Sequence, residues 1–215
     1  IIVVSPLLAA IALAIKIEDG GNVLIIQSNT GKYGKKFICY KFRSMKSGNV
    51  PFDIHKPVIK DSNENLTKVG KFIRKFKFDE LPQIVNVLKG DMCFIGPRPL
   101  LPVYDYEYEE WELIKFEMRP GLTGLAQVRG NGHLSIKARK YYDAYYTLHA
   151  SPILDTKIIL KTMAVLVLGE RRFLTHVSPE EYASLQSEVK KHKISRQTYI
   201  NFGLTPPDEV KKEND

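Results

Sequence analysis

Two adjacent carboxylates, Asp79 and Glu80, lie between a basic segment and two arginines set in proline turns. Arg98 stands in Gly96-Pro97-Arg98-Pro99 and Arg119 opens Arg119-Pro120-Gly121. An acidic pair supplies a nucleophile or metal ligands, while arginine neutralises phosphate oxygens in a planar geometry that lysine does not copy. The combination points to phosphate chemistry. Taken alone, an Asp-Glu pair ahead of Pro82 is more often a helix cap than a site. The arginines and the basic flank raise it above that reading.

The elements that must position these groups can be read from spacing. Val69, Phe72, Ile73 and Phe76 make one apolar stripe of an α-helix whose other faces carry Lys68, Lys71, Arg74 and Lys75. Pro82 suits the first turn of a second helix with Ile84, Val85, Val87 and Leu88 as its apolar residues and Gly90 as its stop. The dyad then falls at a helix N-terminus, where free N–H groups favour a bound phosphate or the carboxylates themselves. Upstream, Val23 to Gln27 and Phe37 to Phe42 read as strands of a hairpin around a Gly31 to Gly34 turn. Alternation puts Lys41 and Arg43 on one face, either reaching one phosphate or solvated at a strand end. Residues 46–66 read as a long polar loop, and Met92 to Ile95 as a short strand. The prolines around Arg98 stiffen the turn that aims it. Asp105 to Met118 reads as a helix whose charge run is a solvated face, and it receives no catalytic role.

At 215 residues and 44% hydrophobic content the chain suits one compact catalytic unit and argues against general disorder. A net charge of +8 and a pI near 9.3 point to a polyanionic partner: nucleic acid, an anionic membrane surface or a phosphorylated substrate. Cys39 and Cys93 lack metal-ligand spacing and read as small buried side chains. Ile1 to Ile15 is apolar apart from Ser5, but as a helix it measures about 22 Å against a hydrocarbon core of about 30 Å. Pro6 bends such a helix and Ser5 satisfies a freed carbonyl, so the segment reads as re-entrant, with a buried core helix as the alternative. A segment is expected to precede Ile1, because the chain opens inside an apolar run without methionine. Ile136 to Tyr146 interleaves Lys137, Arg139 and Lys140 with four tyrosines, a mixture suited to lipid headgroups and equally to single-stranded nucleic acid. Ser151-Pro152 caps a helix to about Leu168, either in the interface plane or as a core helix with a lysine edge. A capping box at Ser178 to Glu181 starts one further helix, and the chain from Thr205 reads as loose tail.

The run Asp79 to Met92, Gly96-Pro97-Arg98-Pro99-Leu100-Leu101-Pro102, Arg119 to Val128 and Tyr40 to Met45 closely resemble the bacterial sugar transferases, the monotopic polyprenyl-phosphate phosphoglycosyl transferases. The resemblance covers roughly residues 1 to 170. It implies an α+β, mainly helical fold: an N-terminal re-entrant membrane helix broken at Ser5-Pro6, a small β-hairpin, and interfacial amphipathic helices around a compact catalytic core. Three regions are expected: residues 1–17 as the membrane helix, 18–170 as the catalytic domain and 171–215 as a polar extension. Asp143, in Asp143-Ala144-Tyr145-Tyr146, matches a family aspartate, and Gln127 joins it as a further site candidate. After Val128 the chain departs from the family's Asn-Gly-Arg-Asn, so no sugar contacts carry over to Arg129 to His133.

The activity that the resemblance implies is transfer of a sugar 1-phosphate from a UDP-sugar to polyprenyl (undecaprenyl) phosphate, starting glycoconjugate or exopolysaccharide assembly. The expected partners are those two substrates and an anionic membrane surface rather than nucleic acid, at the cytoplasmic face of the cell membrane. Asp79 is the expected nucleophile and carrier of a covalent phosphosugar, and Glu80 the base or metal ligand. Arg74, Arg98 and Arg119, with Lys41 and Arg43, are expected on phosphate oxygens. Mg²⁺ is implied on Asp79 and Glu80, because a diphosphate and a carboxylate otherwise repel one another. Two alternatives stay open: a metal-dependent nucleotide-diphosphosugar hydrolase, and a non-catalytic basic membrane-binding module.

Overall fold

The computed structural model describes residues 5–46 and 65–204. The expected loop at 46–66 and the tail from Thr205 lie almost wholly outside those residues. The chain divides into two compact units, one from the described residues of 1–27 and 38–90, the other from those of 28–37 and 91–215.

In the first unit, helix α1 (Ser5–Asp19) runs unbroken, with Pro6 in its first turn. Its Ile11 and Ile15 are buried with Phe42 and Ile73, so α1 packs on the elements around the dyad. Whatever bend Ser5-Pro6 makes with the preceding chain lies outside the described residues. No helix among the described residues is long and apolar enough to cross a membrane. The re-entrant form therefore rests on the sequence alone. The hairpin is present as strands β1 (Leu24–Thr30) and β2 (Lys36–Phe42) in a two-stranded sheet. Helix α2 (Lys68–Lys75) begins on a cap in which Thr67 accepts the Gly70 N–H at 2.8 Å. Glu18 adds a second cap from α1, its carboxylate accepting the Lys68 and Val69 N–H groups at 2.6 and 2.9 Å. Gly70 is required where it stands, since a Cβ there would lie 1.9 Å from the Ser44 carbonyl oxygen. Helix α3 (Ile84–Lys89) stops at Gly90, whose φ of 81° is the left-handed C-cap expected of that glycine.

In the second unit, β3 (Cys93–Ile95) and β4 (Gly121–Thr123) pair in parallel, with Cys93 opposite Gly121 and Ile95 opposite Thr123. Two 3₁₀ helices, Pro102–Glu107 and Glu110–Glu117, occupy the acidic aromatic stretch. They correct the expectation of a solvated charge run: Trp111, Leu113, Ile114 and Phe116 are core residues, and Glu112 and Lys115 are buried beside them. Helix α4 (Ile136–His149) is a second correction. It is no interfacial helix, because Arg139, Lys140, Tyr141, Tyr142 and Tyr146 are buried. Its two buried cations have internal partners: Lys140 pairs with Glu112 at 3.0 Å, and Arg139 donates to the Gly132 and Leu134 carbonyls. A basic aromatic sequence reads as a surface only until its counter-charges are known, and the counter-charge of Lys140 comes from the acidic stretch before Arg119.

Helix α5 (Pro152–Leu168) starts at the expected Ser151 cap and buries only Ile158 and Val165. Ile153, Ile159, Leu160, Met163 and Val167 are exposed, Val167 by 81%. Helix α6 (Pro179–Val189) carries the expected Ser178–Glu181 capping box, and α7 (Arg196–Asn201) comes after it. Leu185, Val189, Ile194 and Tyr199 from this region belong to the core.

Candidate active site

Asp79 and Glu80 lie inside a 3₁₀ turn, Phe78–Gln83, that leads into α3. Lys77, in the left-handed region at φ 58°, turns the chain out of α2 into it. The dyad thus precedes the α-helix by a turn instead of capping it. Glu80 faces Lys41 at 3.8 Å. Asp79 has an oxygen, Oδ1, that is buried and accepts no hydrogen bond. Burial pushes the Asp79 carboxyl up to about 6 and the neighbouring Glu80 adds to the shift, against the pull of Arg74, Lys77 and Lys41. The first unit therefore brings Asp79, Glu80, Lys41 and Arg74 together. Arg43 does not join them: buried at the end of β2, it pairs with Asp19 of α1 at 2.7 Å. Ser5 and Pro6 open α1 and are exposed.

Asn86 is the residue that sequence reasoning missed. Fully buried on α3, it donates to the Ile38 carbonyl at 2.6 Å and accepts the Tyr40 N–H at 3.3 Å. It fastens the helix after the dyad to the strand that carries Lys41. The signal was present in Ile84-Val85-Asn86-Val87-Leu88, a lone amide in an apolar run. The helix turns that amide inward and leaves Val85 and Leu88 exposed.

The second unit brings the two arginine turns together through the parallel pairing of β3 and β4. The Cys93 N–H donates to Pro120 at 2.8 Å, Gly96 to Thr123 at 3.0 Å and Gly121 to Pro97 at 2.9 Å. Glycine is needed on both sides: a Cβ on Gly121 would stand 2.1 Å from the Gly96 nitrogen, and one on Gly124 2.0 Å from the Gly96 oxygen. Asp143 accepts the Arg98 backbone N–H at 3.0 Å and pairs with Lys115 at 2.8 Å. Lys115 also donates to the Arg98 carbonyl at 3.0 Å and the Tyr108 hydroxyl at 3.2 Å. Burial opposes its charge, but Asp143 and Tyr108 hold the Lys115 ammonium well above the usual lysine range. Gln127 is buried with neither side-chain polar atom hydrogen-bonded, its oxygen lying over Gly124.

The dyad is the seat best suited to a cation. No group of three or more metal-ligating side chains occurs among the described residues. Two carboxylates still fit Mg²⁺, which is commonly held by one or two of them together with substrate phosphates. The orphaned Asp79 oxygen supplies a free ligand for it.

Comparison with known proteins agrees in extent with these motifs. A family model described as bacterial sugar transferase matches residues 1–169. The sugar transferase EpsL of Bacillus subtilis, itself uncharacterised, is 37% identical over 78% of this chain and 82% of its own length. The UDP-glucose:undecaprenyl-phosphate glucose-1-phosphate transferase of Xanthomonas campestris is 39% identical over 77% of the chain. The UDP-N-acetylgalactosamine-undecaprenyl-phosphate N-acetylgalactosaminephosphotransferase of Aeromonas hydrophila is 37% identical over the same share. The matches span only 36% and 40% of the Xanthomonas and Aeromonas proteins.

Proposed function

Because the chain belongs to the bacterial sugar transferases, we propose that it transfers a sugar 1-phosphate from a UDP-sugar to polyprenyl phosphate through a covalent intermediate on Asp79. The observation that carries this reading is the buried Asp79 oxygen without a hydrogen-bond donor. A carboxylate oxygen that is buried and accepts no hydrogen bond is more nucleophilic than a capped one, and at about 6 the Asp79 pKa leaves the group ionised at neutral pH.

In the first step an Asp79 oxygen bonds to the sugar-bearing phosphorus, the bond from that phosphorus to the bridging oxygen breaks, and UMP leaves. In the second, an oxygen of the lipid phosphate attacks the same phosphorus, the acyl phosphate bond breaks, and the Asp79 carboxylate is restored as polyprenyl diphosphosugar departs. Mg²⁺ on Asp79 and Glu80 would screen the diphosphate from the carboxylates when bound. Lys41 holds Glu80 at the dyad's edge. We assign phosphate binding to Arg74 beside the dyad and, in the second unit, to Arg98 and Arg119.

The same proposal places the protein on the cytoplasmic face of the membrane, with Ser5-Pro6 as the bend of a helix that enters and leaves by one leaflet. The exposed apolar residues of α5, with Lys157 and Lys161 on the same helix, support an interfacial seat for it. The test is UMP release from a panel of UDP-sugars with Mg²⁺, with and without polyprenyl phosphate. Lipid-dependent release with formation of a lipid diphosphosugar supports transfer. Equal turnover without lipid points to hydrolysis instead, and no release rejects both.

A further inference from the structure

We infer that Lys115 and Asp143 are a positioning pair that presets the Arg98 turn for phosphate. This rests on the phosphate-binding role of Arg98 proposed above, and it gives a task to a lysine that the sequence placed on a solvated face.

Pro97 and Pro99 restrict the backbone on either side of Arg98, but neither fixes the Arg98 peptide groups in space. The buried pair does. Asp143 accepts the Arg98 N–H at 3.0 Å, Lys115 donates to the Arg98 carbonyl at 3.0 Å, and the two charges meet at 2.8 Å. Their side chains are 1% and 3% exposed, so the frame is dry and each bond is charge-assisted. Burying an ion pair commonly yields little net stability over apolar residues of similar volume, so stability alone gives little reason for this one. Geometry gives a better reason, since an arginine on a preset backbone has only its own rotamers to order when phosphate arrives. Tyr108 and Phe116 flank the ammonium at 5.3 and 5.4 Å and exclude water from it. Neither Lys115 nor Asp143 needs to touch substrate to do this.

The experiment measures equilibrium binding of UDP, which does not depend on turnover, alongside UMP release. Lys115→Met alone strands a buried carboxylate, so the main variant is Lys115→Met with Asp143→Leu, an apolar pair of similar bulk. Native circular dichroism and a single melting transition establish that it folds. The positioning role predicts UDP binding weakened about tenfold or more in that variant. It also predicts a loss of less than about twofold when the same changes are made in an Arg98→Ala background. A loss that is undiminished in the Arg98→Ala background, or normal UDP binding by the double variant, overturns the inference. Absence of UMP release by the wild type, with the binding pattern intact, would reject the transfer reading and leave the positioning pair standing.

Discussion

In the unit built from residues 28–37 and 91–215, Asp143 uses both oxygens, on Lys115 and on the Arg98 N–H. In the other unit Asp79 keeps an oxygen that nothing donates to. Asp143 is buried and Asp79 half-buried with Oδ1 out of water, and their neighbours decide the role of each. The one with both oxygens engaged, saturated in that sense, serves as a fixture. The unsaturated one has its carboxyl pushed up to about 6 and retains the capacity to bond an incoming phosphorus or a cation. The two arginines differ in place: Arg43 is buried against Asp19, while Arg74 stays within electrostatic reach of Asp79.

The contrast breaks most sharply at Asp79. Asp79→Asn should lower turnover by on the order of 10⁴-fold or more while leaving the melting transition at pH 8 no lower than in the wild type. Retained turnover, monitored as UMP release, would end the assignment of the nucleophile. At the saturated carboxylate the effects exchange places. Asp143→Leu leaves the Lys115 charge buried and unpaired and should cost about 3–5 kcal/mol in denaturant unfolding. Glu80→Gln, beside Asp79, should change stability by less than about 1 kcal/mol.

Gly124→Ala drives a Cβ against the Gly96 oxygen and should cost about 1–3 kcal/mol. Because it distorts the strand pairing behind both arginine turns, its UDP affinity should fall as well, which calorimetric titration can measure.

A pH series sharpens the comparison further. Activity should fall about tenfold per unit below about pH 6 as Asp79 takes up a proton. Its folded pKa lies above the ordinary aspartate value of 3.8, so its contribution to stability is complete below about pH 4 and is lost as pH rises through about 6. Asp79→Asn should abolish that loss, visible as a flatter dependence of unfolding free energy on pH. The smallest effect belongs to α5. Met163→Glu with Val167→Glu should leave stability within about 0.5 kcal/mol and reduce co-sedimentation with anionic vesicles.

Features set by short-range spacing were legible in the sequence. The hairpin, the Ser151 and Ser178 caps, the Gly90 stop and the helix around Ile73 are of this kind, and the structure places them where that spacing does. The dyad was legible because two adjacent carboxylates need no partner from elsewhere in the chain to be noticed. The errors share one cause. Lys115, Glu112 and Lys140 read as solvated because a charge stays at the surface unless a counter-charge meets it, and in both ion pairs the partners lie 28 residues apart. Asn86 was hidden in the same way, since its partners Ile38 and Tyr40 belong to a distant strand. Lys41 and Arg43 were expected to share a task from strand alternation, but Asp19 of α1 claims the arginine.

The most direct test of the central claim is intact-mass analysis of the protein incubated with a UDP-sugar and Mg²⁺ in the absence of lipid, then peptide mapping. A mass increase of one sugar phosphate on the peptide containing Asp79, absent in Asp79→Asn and discharged on addition of polyprenyl phosphate, is the predicted result. UMP release and lipid product formation without any such adduct under rapid quench, or an adduct that persists in Asp79→Asn, would contradict it.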